Sequence, residues 1–508
     1  MSRILRNSVL NGAALGVTSL LSLFLIPVLI GHYGLEAYGL IPLLRLLTPL
    51  GAMGIATLGL PQFATRAAAL HAARGEQDEL QRSQSALIAL SVAVGAVVAA
   101  VMLGIGAARL GAWLNVGEGE SAAFATGFHA VALLMPLLIT GFVLSASLTG
   151  LGSFRALRTI EVTIYLLYFS VCMAAVLAAL PVIYLIIALL VADALRSICL
   201  FLYARRISLI RTRFILAPDL RWLAGQRQDF LVITNFSLLG YARKHVTAAS
   251  LAVLFGPSAL GVYDAVERVP RALKSVLGLV TTSMLPRAMR LDASADDAGL
   301  HSLLMRGTRL TLLFTLPLAA TVMLYAAPIV STWLGQRFDY AGTYLLLLMV
   351  PFVLDSSLSL VTTATLSRVR LISHQNGVAV VEILVLLVVL ALLLPLAGQT
   401  APYAASAAAA FAGYSLRLRV FLPAYRISGS QWLALVGKVA VGSAFGCASV
   451  FIIVRLSVVA PALALASAPL AVLSGFAAIV LLWNSQERAD LATVLASLRS
   501  MLSLRASR

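Results

Sequence analysis

Residues 237–255, SLLGYARKHVTAASLAVLF, are apolar enough to cross a membrane, yet Arg243, Lys244 and His245 stand in their middle. A fixed charge at that depth is costly and is expected only where it faces protein or a polar cavity. A second set lies just beyond: Asp264, Glu267, Arg268, Arg271 and Lys274 fall within an arc of about 120 degrees on a helix, so one face carries all five. Arg45 belongs to an earlier apolar segment, at a depth of roughly 12 Å from its outer end at 1.5 Å per residue. Arginine offers a planar fork and lysine a point charge, which together suit phosphate or pyrophosphate. The candidate substrate-binding residues are therefore Arg45, Arg243, Lys244, Arg268, Arg271 and Lys274.

A structural reading stands beside this one. Asp264 with Arg268 and Glu267 with Arg271 have the i, i+4 spacing of mutually neutralising pairs, and Arg243 and Lys244 are expected to answer acidic residues if they do not meet a ligand. Asp193 and Arg196, three apart, read as a structural pair. Asp355 has no charged neighbour within a turn, which makes it the candidate for proton or sodium coupling. Glu161 and Glu382 read as boundary residues near helix ends. His245, beside two cations, is expected to be neutral and packed. Cys172, Cys199 and Cys447 have neither disulfide nor metal-ligand spacing, so no metal site and no cofactor is expected.

The elements that hold these charges follow from composition. Of 508 residues, 61% are hydrophobic and 11% charged, with mean hydropathy +0.98, more apolar side chain than a soluble core can hide. The chain reads as an all-α polytopic membrane protein of about 14 helices, near 9–30, 38–60, 85–107, 123–148, 162–180, 182–202, 230–254, 260–285, 308–330, 343–366, 377–397, 402–422, 436–456 and 461–483. The formal charge of +17 does not point to nucleic acid, because the basic residues are spread between apolar segments and no nucleic-acid module is visible. They concentrate instead on alternate connections, including Arg66, Arg74, Arg82, Arg155, Arg158, Arg205, Arg206, Arg213, Arg221, Arg287, Arg290, Arg368 and Arg426, and in the tail, Arg499, Arg505 and Arg508. By the positive-inside bias both termini are cytoplasmic.

GHYGLEAYG, from Gly31, has a counterpart in GPSALGVYD, from Gly256; Gly31 and Gly256, Tyr38 and Tyr263, and Pro61 and Pro286 each stand 225 positions apart. This implies two parallel six-helix lobes with two helices appended. The expected division is 1–202 for the N-terminal lobe, 203–229 for a cytoplasmic linker, 230–430 for the C-terminal lobe, 431–484 for the added helices and 485–508 for a cytoplasmic tail. Pro27, Pro42 and Pro49 are expected to bend the first two helices. Gly12 with Gly16, and Gly442 with Gly446, have the spacing of close helix crossings. Tyr33, Tyr38, Tyr263, Tyr344 and Trp222 read as interfacial belt residues.

RNSVLNGAALGVTSLLSLFLIPVLIGHYGLEAYGL, with Gly31, Gly34, Glu36, Tyr38 and Gly39, then LGLPQFATR and the later LFGPSALGVYDAVERV, resembles the bacterial O-antigen and exopolysaccharide lipid-carrier flippases. These belong to the multidrug/oligosaccharidyl-lipid/polysaccharide exporter superfamily. The resemblance covers the first twelve helices by architecture and is strongest at the two hairpins. It implies movement of undecaprenyl-diphosphate-linked oligosaccharide from the cytoplasmic to the periplasmic leaflet of the inner membrane, by alternating access around a cationic cavity. It also implies a polysaccharide polymerase and chain-length machinery as partners; a monomer is expected. A cation-coupled exporter of small molecules or of another lipid is the alternative. A membrane enzyme is disfavoured, because no catalytic constellation occupies the short outer segments.

Overall fold

The computed structural model describes residues 2–211, 215, 225–294, 296–365, 369–456, 465–484, 487, 488, 491 and 492. The expected linker arginines Arg213 and Arg221, with Trp222, Arg368 and the tail arginines Arg499, Arg505 and Arg508, lie outside them. Among the described residues there is no strand. The helices are α1 (Ser2–Tyr33), α2 (Leu35–Leu46), α3 (Leu60–Arg74), α4 (Gln77–Ile105), α5 (Ala107–Trp113), α6 (Ser121–Gly150), α7 (Phe154–Leu177), α8 (Ile183–Arg206), α9 (Arg227–Ala293), α10 (Asp297–Leu324), α11 (Ala326–Leu334), α12 (Ala341–Ala364), α13 (Val369–Ala397), α14 (Ala401–Ala424), α15 (Gly429–Leu456) and α16 (Ala468–Leu482).

Ten stretches are long and apolar enough to cross a membrane, and two of them, Phe230–Ser275 and Ser373–Ala424, are each long enough for two passes. The first bends at Gly256, and the second at the short 3-10 turn Gly398–Thr400 between α13 and α14. The expected fourteen segments are completed by α16, which is short, and by the region from α2 to the turn before α3. That region is not the continuous helix 38–60 of the sequence reading. Pro27 and Pro42 stay inside helices, whereas Pro49 coincides with a break at residues 47–51, followed by a 3-10 helix over Ala52–Thr57. Proline supplies no N–H and disfavours helical geometry in the residue before it, which favours the break at Pro49, although Pro27 and Pro42 are accommodated inside their helices.

Large apolar side chains remain exposed along many helices, among them Leu20, Phe24, Leu133, Leu177, Leu392 and Phe445. Such a surface suits hydrocarbon and would be a liability in water. Close crossings use small residues. Gly95 lies against the Pro136 backbone, and Gly446 against Ser474 and Gly475 of α16. Gly442 packs on Ile479 of the same helix, so the 442/446 pair makes the expected approach, while Gly16 has nothing near it.

Packing divides the chain into two units, one of Met1–Arg268 with Ala379–Ala405 and the other of Val269–Val378 with Ser406–Arg508. The first has a core of Leu80, Ile88, Leu144, Leu148, Leu157 and Leu200, with a neighbouring cluster around Leu60, Phe63 and Val143. Some polar groups inside it are paired: Ser147 donates to Gln84 Oε1 at 2.6 Å, and Gln81 Nε2 donates to the Ser208 carbonyl at 2.8 Å. The second unit is built on Leu304, Val361, Phe421 and Trp432, and on Leu312, Leu316, Val439 and Ile479.

The repeat is present in the backbone in a shifted register. Gly31 is an ordinary residue of α1, whereas Gly34 has φ 82, ψ 169 and Gly256 has φ 78, ψ −168, almost the same non-helical conformation. Only glycine adopts that region cheaply. Pairing Gly34 with Gly256 also pairs Gly39 with Gly261, and these two glycines meet: a Cβ on Gly261 would lie 3.3 Å from Gly39 Cα and from Leu35, and one on Gly39 would overlap the Pro257 carbonyl. The crossing is thus formed by the helical turns that follow these two glycines. Identical residue types at 225-residue spacing misled the sequence reading, because the conformation, not the letter, is what repeats.

Candidate functional site

The α2–α9 crossing positions the first group of charges, all in the first unit. Tyr38 and Arg45 are two turns apart on α2 and share a face. Asp264 and Arg268 are one turn apart on α9. The Tyr38 hydroxyl donates to Asp264 Oδ2 at 2.9 Å, and Arg268 Nη2 donates to the same oxygen at 2.9 Å. Asp264 is only 7% exposed, and a carboxylate that deep requires both partners. The pair expected from i, i+4 spacing therefore forms. Tyr38 and Tyr263 are buried instead of interfacial; Tyr263 packs its ring 6.0 Å from that of Tyr403. Tyr344 is also buried.

Arg45 sits in the last turn of α2, where the helix dipole favours a cation. Thr48 Oγ1 closes that end by donating to the Arg45 carbonyl at 2.8 Å. Gly51 lets the chain fold back against the same carbonyl, since a Cβ there would overlap it. Among the described residues no carboxylate lies within ion-pair reach of Arg45, and its Nε is buried without a hydrogen-bond partner. Arg45, Arg268, Asp264 and Tyr38 line one cavity with Tyr165 and Tyr168 of α7, against an apolar wall of Leu25, Ile26 and Leu29 from α1. Its volume is about 30 Å³, room for about one water. Two guanidinium groups against one carboxylate give it a net positive charge.

The other candidates are placed elsewhere. Arg243 Nη1 is 3.2 Å from Glu382 Oε2 on α13; the carboxylate side chain is 3% exposed and the arginine 42%. Glu382 is thus a buried partner of Arg243, not a boundary residue. Lys244 is exposed beside it, and His245 stacks on Tyr241 with ring centroids 6.3 Å apart. In the second unit, Arg271 is exposed, and Lys274 Nζ lies 3.6 Å from Asp355 Oδ2. Arg417 of α14 approaches Asp355 Oδ1 at 3.2 Å, with its side chain 7% exposed. Asp355 is isolated along its own helix but bracketed by cations from two others. Asp193 and Arg196 lie 4.0 Å apart, as a structural pair should.

Arg417, Glu382, Tyr165 and Tyr168 were missed as site residues. The arginine carried a signal, a cation well inside the expected span 402–422, and Tyr165 and Tyr168 share a helix face by spacing. Nothing local marked Glu382. All three cysteines are free, and among the described residues no cluster of His, Cys, Asp or Glu has the make-up of a metal site.

A family model described as "Polysaccharide biosynthesis protein" matches residues 76–343. No curated protein matches in sequence. Among solved structures, the lipid II flippase MurJ in an inward closed conformation superposes with TM-score 0.70 at 11% identity, covering 93% of this chain and 98% of that one. An inward-facing multidrug resistance MATE family transporter of the MOP superfamily gives 0.58 at 15% identity, covering 83% and 98%. A MOP superfamily transporter from Pyrococcus furiosus gives 0.57 at 15%, covering 84% and 96%. These likenesses establish the fold.

Proposed function

The chain belongs to the polysaccharide biosynthesis protein family, and from that premise we propose that it is a flippase carrying undecaprenyl-diphosphate-linked oligosaccharide from the cytoplasmic to the periplasmic leaflet of a bacterial inner membrane. The observation that carries this reading is the cationic cavity of Arg45 and Arg268. Asp264 answers Arg268, so the charge of Arg45 is the one left to attract an anion. At about 4 Å and an effective dielectric near 20, a cation and a phosphate oxygen attract by about 4 kcal/mol before desolvation is subtracted. Tyr165 and Tyr168 add aromatic rings and hydroxyl groups to the lining, suited to a sugar or diphosphate.

A cavity of about 30 Å³ is far too small for such a headgroup. Loading therefore requires the helices around α2 and α9 to part. Arg243, Lys244, Arg271 and Lys274 are then proposed as cations met along the route, while the polyprenyl tail stays in lipid. Both termini are cytoplasmic in this scheme, and polymerase and chain-length proteins act on the delivered product.

Asp355 is the proposed coupling residue. A proton reaching it would release Lys274 and Arg417 together and loosen the contact of α9, α12 and α14, which turns a gradient into movement. Sodium and a proton alike would have to displace the two fixed cations already there.

The alternative is an exporter of small molecules in the same fold. Proteoliposomes holding the purified chain, offered a labelled diphosphate-linked oligosaccharide lipid and a small organic cation in parallel, separate the two. Transfer of the lipid alone is the expected result; movement of the organic cation without the lipid would replace flippase by exporter.

A further inference from the structure

Within the first unit, the turn between α5 and α6 reaches across to the break in α9. α5 ends in a Schellman motif: the Val116 N–H donates to the Gly111 carbonyl at 3.0 Å and the Asn115 N–H to the Ala112 carbonyl at 3.3 Å. Asn115 takes the left-handed position of that motif, with φ 49, which asparagine tolerates better than most residues that carry a Cβ. Close packing of α5 on α6 fixes this end further, since a Cβ on Gly111 would lie 3.3 Å from the Phe124 ring. From there Asn115 Nδ2 donates to the Val253 carbonyl at 2.7 Å, across 138 positions of sequence.

Two features of α9 fit that contact. In a regular helix the Val253 carbonyl would accept from the N–H of residue 257, but residue 257 is proline and has none. Gly256 leaves the helical region, with φ 78 and ψ −168, and its missing side chain makes room for the Asn115 carbonyl, which a Cβ there would meet at 2.9 Å. Asn115 thus touches both sides of the break, with its backbone against Gly256 and its side chain on Val253. Two residues on, the same turn lies against the start of α2, where a Cβ on Gly117 would be 2.5 Å from Glu36 Oε1. The bend at Gly256 in turn sets where Asp264, about two turns further along α9, meets Tyr38 of α2.

We propose that Asn115 is a positioning residue for loading: its side chain latches the half of α9 that runs up to Gly256, holds the bend there, and so keeps α9 against α2 around Arg45 and Arg268. Loading requires those helices to part, and release of the Asn115–Val253 bond lowers the cost of parting. A ligand that binds only the parted arrangement then binds more tightly when the latch is absent. The role in loading rests on the reading of the Arg45 cavity as the diphosphate site; the latch itself rests on the contacts of Asn115 alone.

The test uses the full chain in a neutral detergent, with amide hydrogen exchange followed over residues 250–261 and binding of a short-chain, soluble polyprenyl diphosphate measured by calorimetry. N115G removes the side chain and keeps the positive φ, N115D keeps the shape and removes the donor, and R45A is the control that leaves the latch in place. Both Asn115 variants are expected to exchange about 5-fold faster over this segment and to bind the diphosphate about 5-fold more tightly, the scale of one neutral hydrogen bond. R45A is expected to bind it more weakly with exchange unchanged. Unchanged exchange in folded N115G and N115D overturns the latch. Faster exchange with unchanged or weaker binding makes the bond merely structural and overturns its role in loading. Faster exchange with no diphosphate bound by wild type or variant overturns the diphosphate reading and leaves the latch standing.

Discussion

Replacing Arg45 by alanine tests the cationic cavity at the residue whose charge has no other use. Asp264 is committed to Arg268 and Tyr38 at 2.9 Å each, so the net attraction for an anion falls on Arg45. A hydrogen bond to a charged group contributes about 1.5–3 kcal/mol net, and the bare Coulomb attraction of about 4 kcal/mol sets the ceiling. R45A should therefore weaken binding of a soluble polyprenyl-diphosphate analogue about 10- to 150-fold, measured by calorimetry or ligand-dependent melting in detergent. R45K should fall between, because it keeps the charge and loses the planar fork. Stability should change little, since no carboxylate among the described residues lies within ion-pair reach of Arg45. A folded R45A protein that binds the diphosphate analogue as wild type does would refute the argument.

Other positions give sharper structural tests. R243A takes the Arg243 guanidinium away from Glu382, whose side chain is 3% exposed; a loss of about 2–3 kcal/mol, discounted for the exposure of the arginine, should appear as a lower unfolding temperature and be partly recovered in R243A/E382Q. G256A forces a Cβ into a φ of 78 and within 2.9 Å of the Asn115 carbonyl, and should cost about 1–3 kcal/mol by the same measurement. D355N mimics a protonated carboxylate, so transfer by this variant should no longer respond to an imposed proton gradient, whereas a purely structural Asp355 would lower stability and leave the gradient response intact.

The sequence carried the architecture because apolar length is a coarse and redundant signal. Fourteen segments and the small-residue crossing at Gly442 and Gly446 needed no knowledge of which helices touch. The i, i+4 relation of Asp264 and Arg268 was likewise local. What failed was long-range or conformational. Glu382 looks like a helix-end residue until Arg243 arrives from 139 positions away, and Asp355 looks isolated until α9 and α14 bring Lys274 and Arg417. Tyr38 has the composition of a belt residue but donates to Asp264, 226 positions on. The repeat was visible, yet its register depended on backbone angles at Gly34 and Gly256 that letters do not state. At Pro49 the break followed from proline chemistry, but Pro27 and Pro42 have the same chemistry and stay helical.

The central claim is that a fixed positive charge selects the cargo's diphosphate. It is tested most directly by leaflet-resolved transfer in proteoliposomes, comparing a fluorescent polyprenyl-diphosphate oligosaccharide with the same sugar on an uncharged polyprenol, in wild type and in R45A. The account predicts fast transfer of the diphosphate lipid alone, lost in folded R45A. Equal transfer of charged and uncharged lipids by both proteins would contradict it.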